Sequence, residues 1–299
     1  TKNKNFLKKY LNINFLYFLI CNLIIFIHLA GIPTMTWDGI ENWYFKAQNF
    51  FYNFNFFDLN NTRGTNYYPH FGSFLWGFFW KNSVLQYEYI GRLFYVFIFL
   101  LSIFSICDLI KKNNYIKPVV ISLILILCYD RFLFGGYQDI LLFSFLIFLS
   151  KYFYFYNLTK KNFYLIISFL FLNFLPWLKN EGYLFVIVFL IALLFYLKNT
   201  NKKKEIIFFI LFSFIFLIIK NLIFLKYLNI NPTHGANLDF SFNAEDFFTF
   251  ISIMSKGLMV AIFKYKIWIF IIFSVYYLKK NKNIFKSQNI FINFMLINL

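Results

Sequence analysis

The chain has 299 residues, of which 61% are hydrophobic and only 14% charged. A soluble domain carries about 25% charged residues, so the composition excludes an ordinary soluble fold and predicts an all-α, polytopic bundle of transmembrane helices. The net charge of +17 would indicate nucleic acid binding in a soluble protein. Here we attribute it to cytoplasmic loops, and no nucleic acid partner is expected.

Eight hydrophobic runs predict membrane-spanning helices, and a further apolar run begins near residue 288, so about eight or nine spans are expected. Two long segments, 33–88 and 226–255, separate them. We interpret residues 1–299 as one transmembrane domain. We expect it to be incomplete at the C-terminus, because the chain starts without a methionine and ends inside an apolar run. In chain order the predicted spans are 14–32, 89–110, 117–131, 139–156, 162–177, 182–197, 206–225 and 257–278.

Lysine clusters orient this bundle. Most of the 29 basic residues stand before the first span, between the second and third, after the fourth, before the seventh and after the eighth. The positive-inside rule makes these clusters cytoplasmic. We therefore predict a multi-pass protein of the inner (plasma) membrane with a cytoplasmic N-terminus and with 33–88 and 226–255 as extracytoplasmic segments.

The acidic residues show a second asymmetry. All but two of the 12 acidic residues, Asp108 and Glu205, map to the outer face. Acids contribute little to topology, so their gathering indicates that the active site lies on the outer face. The greater length of the outer loops accounts for part of the excess.

The first outer segment carries the strongest functional signal. Asp38 stands just after the first span, and apolar residues recur at helical spacing from Ile40 to Phe54. This pattern predicts an amphipathic helix in the outer interface, with its aromatic rings at headgroup depth. Two compatible roles fit Asp38. With Glu41 it matches a capping box, and at the membrane surface it can be a general base that takes the proton of an acceptor hydroxyl.

Four motifs follow one another in the first 200 residues. They are Trp37-Asp38-Gly39 after the first span; Tyr68-Pro69 before an aromatic helix at 71–80, with Gly91-Arg92-Leu93 at the second span; Phe134-Gly135-Gly136-Tyr137-Gln138-Asp139 at the fourth; and Trp177-Leu178-Lys179-Asn180-Glu181-Gly182 between the fifth and sixth. In order and placement they resemble the GT-C superfamily of membrane glycosyltransferases, which includes protein O-mannosyltransferases and the lipid A aminoarabinose transferase.

The resemblance implies an activity and a catalytic pair. The activity is the transfer of a sugar, with inversion, from a polyprenyl-phosphate donor to a lipid, glycan or protein acceptor. Membrane lipids are the other expected partners. Asp38 would be the catalytic base, and Asp139 a second acid that positions the acceptor or a metal ion. The pattern departs from the family at His70, where a second proline usually follows Tyr-Pro.

The other predicted site residues bind substrate. Arg131 and Lys179 would hold the lipid phosphate. Each has a plainer alternative, since Arg131 can pair with Asp130 and Lys179 can belong to a solvated turn. Lys220, inside the seventh span, is expected to snorkel to the outer face. The full substrate-binding set is Glu41, Tyr68, His70, Arg131, Lys179 and Glu181.

The sequence names no cofactor and leaves other functions open. No glycine-rich nucleotide loop is present, and the three histidines have no metal-ligand spacing, so no metal site is assigned, although a divalent ion stays open. A transporter or flippase of lipid-linked glycans would show mid-helix charges and Gly- or Pro-broken spans. A polymerase of such glycans would also have large outer loops. The surface acids favour the transferase.

Overall fold

The computed structural model describes residues 13–31, 34–52, 68–107, 116–128, 134–197 and 203–227, with Ser252, Ser255, Trp268 and Ile272. The chain divides into two compact units, residues 1–232 with Leu299, and residues 233–298. Every element below belongs to the first unit. Arg131, residues 228–251, almost all of the span predicted at 257–278 and the apolar run from 288 lie outside the described residues.

Every regular element in the described part of the first unit is helical, which confirms the all-α fold class there. The seven predicted spans before residue 226 match observed helices to within three residues at each end. The elements are α1 (Ile13–Gly31), a first π-helical segment (Gly39–Tyr44), α2 (Phe45–Phe51), α3 (Phe71–Lys81), α4 (Glu88–Cys107), α5 (Ile116–Cys128), α6 (Asp139–Thr159), α7 (Asn162–Leu178), α8 (Gly182–Leu197), α9 (Lys203–Leu222) and a second π-helical segment (Ile223–Tyr227).

Four of these helices, α1, α4, α6 and α9, are long and apolar enough to cross a membrane. Helices α5, α7 and α8 contain shorter apolar stretches. A helix rises about 1.5 Å per residue, so only the longer ones match the hydrocarbon thickness of about 30 Å on their own. The chain is thus a membrane protein by length and composition, while the total of eight or nine spans stays a prediction.

Helix α6 is central and helices α1 and α9 are peripheral. Half of the α6 residues are buried, compared with 22% of the spanning stretch in each of α1 and α9. Helix α6 packs against α4 and α7. The exposed positions of α1 and α9 are largely leucine, isoleucine and phenylalanine, which suits contact with lipid chains.

The segment after α1 folds back onto the protein. Its aromatic residues pack against α3, and the headgroup depth expected for them stays a prediction. Phe51 stacks on Trp80 with ring centroids 4.3 Å apart, and Phe50 meets Phe74 edge to face at 5.3 Å. Aromatic pairs of this geometry stabilise beyond the area they bury, so α2 is fixed by protein contacts.

Five of the six described carboxylates lie where the connections after α1, before α4, before α6 and between α7 and α8 meet. We call this the Asp38 end of the bundle. Hydrogen bonds join Thr36 to Gly135, Arg92 to Phe134 and Lys179 to Asp139 there. The sixth carboxylate, Glu205, begins α9 and is separated from this end by a 20-residue helix. The described acids other than Glu205 therefore gather at one end, and the assignment of that end to the outer face stays a prediction.

Candidate active site

The Gly-Gly turn, Phe134 to Gln138, is the junction of the Asp38 end. The backbone nitrogen and the hydroxyl of Thr36 both donate to the carbonyl of Gly135, each at 3.1 Å. Gln138 donates to the Tyr95 hydroxyl at 2.6 Å. Gly136 has φ +101°, a left-handed conformation that favours glycine. The turn is thus held by both the segment after α1 and helix α4.

Arg92 fixes this turn through a buried ion pair. Its side chain is 1% exposed and makes a two-pronged contact with Glu88, at 2.7 and 2.8 Å. Its remaining nitrogen donates to the carbonyl of Phe134 at 3.1 Å. Bidentate geometry is among the strongest for a guanidinium and a carboxylate. Sequence analysis noted Arg92 only as part of a motif, and the structure shows that it holds the turn in place.

Thr36, and not Asp38, caps the helix that follows α1. The Thr36 hydroxyl accepts from the backbone nitrogen of Gly39 at 3.2 Å, and its carbonyl accepts from that of Ile40 at 3.0 Å. Asp38 makes no side-chain capping bond. The predicted capping box of Asp38 and Glu41 is therefore wrong, because the helix begins one or two residues earlier than the sequence pattern suggests.

The Asp38 carboxylate is half-buried and accepts one hydrogen bond, from the side chain of Asn42 at 2.9 Å. No other described residue donates to it. The next residue, Gly39, lies so close to the Gly135 carbonyl that a Cβ there would overlap it. Asp38 is thus held against the Gly-Gly turn by its backbone, with one carboxylate oxygen left for a ligand.

Asp139 belongs to a small ionic group with Lys179 and Glu181. The Lys179 ammonium lies 2.8 Å from Asp139 and 3.3 Å from Glu181. Burial lowers the pKa of Lys179, but the two carboxylates outweigh it and the pKa is raised. This lysine neutralises part of two acids, so the group keeps a net negative charge beside the turn. Its predicted contact with a phosphate stays a prediction.

Tyr68 and His70 lie in a second, basic region that the sequence only half revealed. The carbonyl of Tyr68 accepts from the ammonium of Lys46 at 3.0 Å. His70 is buried, and its ring stacks on Phe224 at 5.3 Å. Burial, then the charges of Lys46 and Lys220, hold the pKa of His70 well below its usual range. His70 is therefore a neutral imidazole near two lysines.

Lys46 was not singled out from the sequence, and Lys220 was expected in a different position. Lys46 is 1% exposed and lies on the apolar face of its helix, three residues after Trp43. That spacing was the one feature of the sequence that could have indicated a buried lysine. Lys220 is 2% exposed and donates to the Tyr183 hydroxyl at 3.0 Å. Snorkelling was thus the wrong expectation, since neighbouring helices enclose the ammonium.

An apolar groove runs along the membrane-spanning surface near the same end. It encloses about 680 Å³ between α1, α3 and α4. Its polar lining residues are Asn22 of α1 and Asn82 and Ser83 just after α3, and its other walls are aromatic and aliphatic. The principal side chains of these walls are Leu19, Leu23, Phe26, Phe78, Phe79, Ile90, Leu93, Phe94 and Phe97.

The structure brings several predicted site residues together. The segment that contains Asp38 contacts Gly135. Asp139 follows Gly135 by four residues, so the Cα atoms of Gly135 and Asp139 are at most about 14 Å apart. A single cavity for the two aspartates stays a prediction. Glu41 is half-buried in the first π-helical segment, and Arg131 lies outside the described residues. Among the residues that are described, no three His, Cys, Asp or Glu side chains are grouped to hold a metal ion.

Comparison with known proteins identifies no relative. No family model matches this chain, and no curated protein and no solved structure matches it either. The resemblance to GT-C glycosyltransferases stays a prediction from motifs, and the function is inferred from the residues at the Asp38 end.

Proposed function

We propose that this protein is a membrane glycosyltransferase that moves a sugar, with inversion, from a polyprenyl-phosphate donor to an acceptor at the outer face. One observation carries the proposal. The Asp38 carboxylate is relieved of helix capping by Thr36, and the nearby Thr36 and Gly39 both contact the Gly-Gly turn at the end of a membrane bundle. A half-exposed carboxylate in a rigid frame is what a general base at the membrane surface requires.

The proposed reaction is a single displacement. The acceptor hydroxyl oxygen attacks the anomeric carbon, and the bond from that carbon to the phosphate oxygen breaks. Its electron pair leaves with the polyprenyl phosphate, and the hydroxyl proton passes to Asp38. Asp139, held by Lys179, positions the acceptor. A lipid phosphate leaves readily, so most of the rate enhancement comes from positioning and charge stabilisation.

The apolar groove supports a lipid-borne donor. We assign it to the polyprenyl chain, because it lies between spanning helices α1 and α4 and its lining is apolar except for Asn22, Asn82 and Ser83. A chain in this groove would place its phosphate near the surface where Asp38 lies. The acceptor, whether lipid, glycan or protein, would approach from outside.

A flippase or transporter of lipid-linked glycans is the second candidate. The observation in its favour is the buried Lys220, an ionisable residue near the end of an apolar helix, because such residues line substrate pathways. A transporter would bind the same lipid phosphate but would need no base. The effect of removing the Asp38 base therefore separates the two functions.

Asp38→Asn tests the transferase directly. The variant keeps the side-chain size and the Asn42 contact but removes the basic oxygen. Loss of a general base typically costs about 10²–10⁴ in rate, so we expect transfer at least a hundredfold slower on that scale. The assay measures sugar transfer from a polyprenyl-phosphate sugar in proteoliposomes containing the full-length protein.

Glu41→Gln is the matched comparison, since Glu41 lies in the first turn of the same helix and takes no proton in the proposed reaction. It should insert normally and lose much less activity than Asp38→Asn. Near wild-type transfer by Asp38→Asn, with normal insertion, would eliminate Asp38 as base. Undiminished movement of the lipid-linked glycan across the bilayer, with no transfer by the wild type, would favour the transporter.

A further inference from the structure

Two buried lysines from distant parts of the chain lie near His70. Lys46 comes from α2 and Lys220 from the last turn of α9, and both are at most 2% exposed. A series of contacts connects them through His70 and Phe224. Lys46 bonds to Tyr68 beside His70, the His70 ring stacks on Phe224, and the Lys220 ammonium lies 5.2 Å from the centre of the Phe224 ring. We call Lys46 and Lys220 the buried lysine pair.

Each ammonium of the buried lysine pair has one neutral hydrogen-bond acceptor. For Lys46 it is the Tyr68 carbonyl, and for Lys220 it is the Tyr183 hydroxyl, each at 3.0 Å. An ammonium group has three donors. Within the described part of the chain, neither lysine pairs with a carboxylate, because the ion pairs there belong to Arg92 and Lys179. Two donors on each lysine are left for a ligand.

This arrangement is expensive without a counter-ion. Burying a charge costs several kcal/mol unless it is paired. Aromatic faces supply part of the compensation, since Lys46 lies 5.5 Å from the centre of the Trp43 ring and Lys220 lies 4.3 Å from that of Tyr183. Tyr183 in turn donates to Asn221 at 2.7 Å, which orients its oxygen toward Lys220. The lysines are thus held in place, and the described acids do not pair with them.

We infer that the buried lysine pair is a binding site for a phosphate group. A phosphate monoester presents three oxygens and up to two negative charges, which match two ammonium groups with free donors. Lysine binds phosphate as a point charge, and the surrounding rings exclude water, so the attraction is stronger than at a surface. Lys179, which sequence analysis assigned to phosphate, has its charge engaged by two carboxylates.

The same chemistry could come from two sources, the head of a lipid phosphate or free inorganic phosphate. Either would neutralise the lysine pair. The burial that holds the pKa of Lys46 well below its usual range would be offset by a bound anion. The inference does not depend on sugar transfer, since a transporter of phosphate lipids would need the same site.

Ligand-dependent thermal unfolding of the purified full chain in detergent tests this site. The ligands are inorganic phosphate, farnesyl phosphate and, as an uncharged control, farnesol. A ligand that binds only the folded state raises the unfolding temperature, and the rise grows with the logarithm of the ligand concentration once that concentration exceeds Kd. We expect this for wild type with at least one phosphate ligand, and we expect farnesol to give a much smaller shift than farnesyl phosphate.

Lys46→Met and Lys220→Met remove one charge each and keep the length of the side chain. Each should weaken phosphate binding about tenfold or more, the loss expected for one charge-assisted hydrogen bond. Lys226→Met is the matched control, because Lys226 is an exposed lysine that lies only six residues after Lys220. It should bind like wild type, and so should Asp38→Asn, which separates this site from the transferase.

Comparison of the responses to the ligands identifies the source of the phosphate group. A response to farnesyl phosphate alone supports a lipid phosphate, and a response to inorganic phosphate alone supports a soluble one. The inference is overturned if wild type responds to neither phosphate ligand, if farnesol is as effective as farnesyl phosphate, or if both folded lysine variants bind like wild type. Should a variant fail to fold, the wild-type titrations still decide.

Discussion

Lys179 and Lys46 both lie toward the Asp38 end of the bundle, but in opposite surroundings. Lys179 is 18% exposed and touches two carboxylates. Lys46 is 1% exposed and touches a carbonyl and two aromatic rings. The carboxylates raise the pKa of Lys179 above its usual value despite burial, whereas burial lowers that of Lys46. The first charge supports the structure, and the second costs stability.

The presence or absence of a carboxylate partner distinguishes a lysine that stabilises the structure from a lysine that can bind a ligand. A lysine already paired with acids has no attraction left over for a phosphate, while a buried lysine with neutral partners keeps it. Proteins commonly give up stability at binding sites. Arg92 completes the series, because it is as buried as Lys46 yet has a carboxylate partner. Three substitutions test whether partner and burial together set the energy of each charge.

Glu88→Gln should have the largest effect on stability. It leaves the Arg92 guanidinium buried without its carboxylate, and breaking a buried ion pair costs about 3–5 kcal/mol. The Gly-Gly turn should loosen as well, since Arg92 also holds Phe134. The measurement is the thermal unfolding midpoint in detergent, with Glu41→Gln as the control. Equal midpoints for the two variants would contradict the assigned role of Arg92.

Lys46→Met should act in the opposite direction and stabilise the ligand-free protein, by on the order of 1 kcal/mol. The gain should depend on pH. At pH values below the lowered folded-state pKa, the lysine is charged in both states and the burial cost is complete. The cost disappears as pH rises toward the unfolded-state value of about 10.4.

The midpoint difference between Lys46→Met and wild type should therefore shrink from pH 6 to pH 10, in phosphate-free buffer. Adding the phosphate ligand should reverse its sign, because only wild type gains binding energy. A variant less stable than wild type throughout this range, without ligand, would show that Lys46 is a structural charge like Lys179.

Lys179→Met should have the smallest effect, a loss of about 0.2–1 kcal/mol, because a partly exposed ion pair is screened by solvent. Its pH dependence should differ from that of Lys46→Met. A raised folded-state pKa means that the bridge contributes fully below about 10.4 and is lost only as pH rises beyond it. Midpoints measured between pH 6 and pH 10 should show a constant difference, and a steady decline would contradict the pairing.

The positions of the helices were predicted from the sequence, but the partners of the charged residues were predicted less well. Apolar runs predict α1 and α4 to α9 because each helix must bury or present an apolar face over many residues. The cap was mistaken because Thr36 and Asp38 both suit an N-cap and stand two residues apart. Glu88 and Arg92, four residues apart, could have been paired from spacing alone.

The buried lysine pair could not be predicted in the same way. Lys46 and Lys220 are 174 positions apart in the chain, and only tertiary contacts of His70, Tyr183 and Phe224 bring them into one region. Pattern analysis treats each lysine as polar surface or as a snorkelling residue. Their shared environment is a tertiary property, and it is visible only when His70 and Phe224 are seen in contact.

The first π-helical segment, Gly39–Tyr44, stands between Asp38 and Lys46. A π-helical turn holds more residues than an α-helical one, so it changes the direction in which every later side chain points. If the same residues were wound as an α-helix, Lys46 would point in a different direction from Asp38, because each residue of a π-helix turns the chain by less than the roughly 100° of an α-helical residue. The angular relation between Asp38, the proposed base, and Lys46, the proposed phosphate-binding lysine, therefore depends on the winding of this six-residue segment.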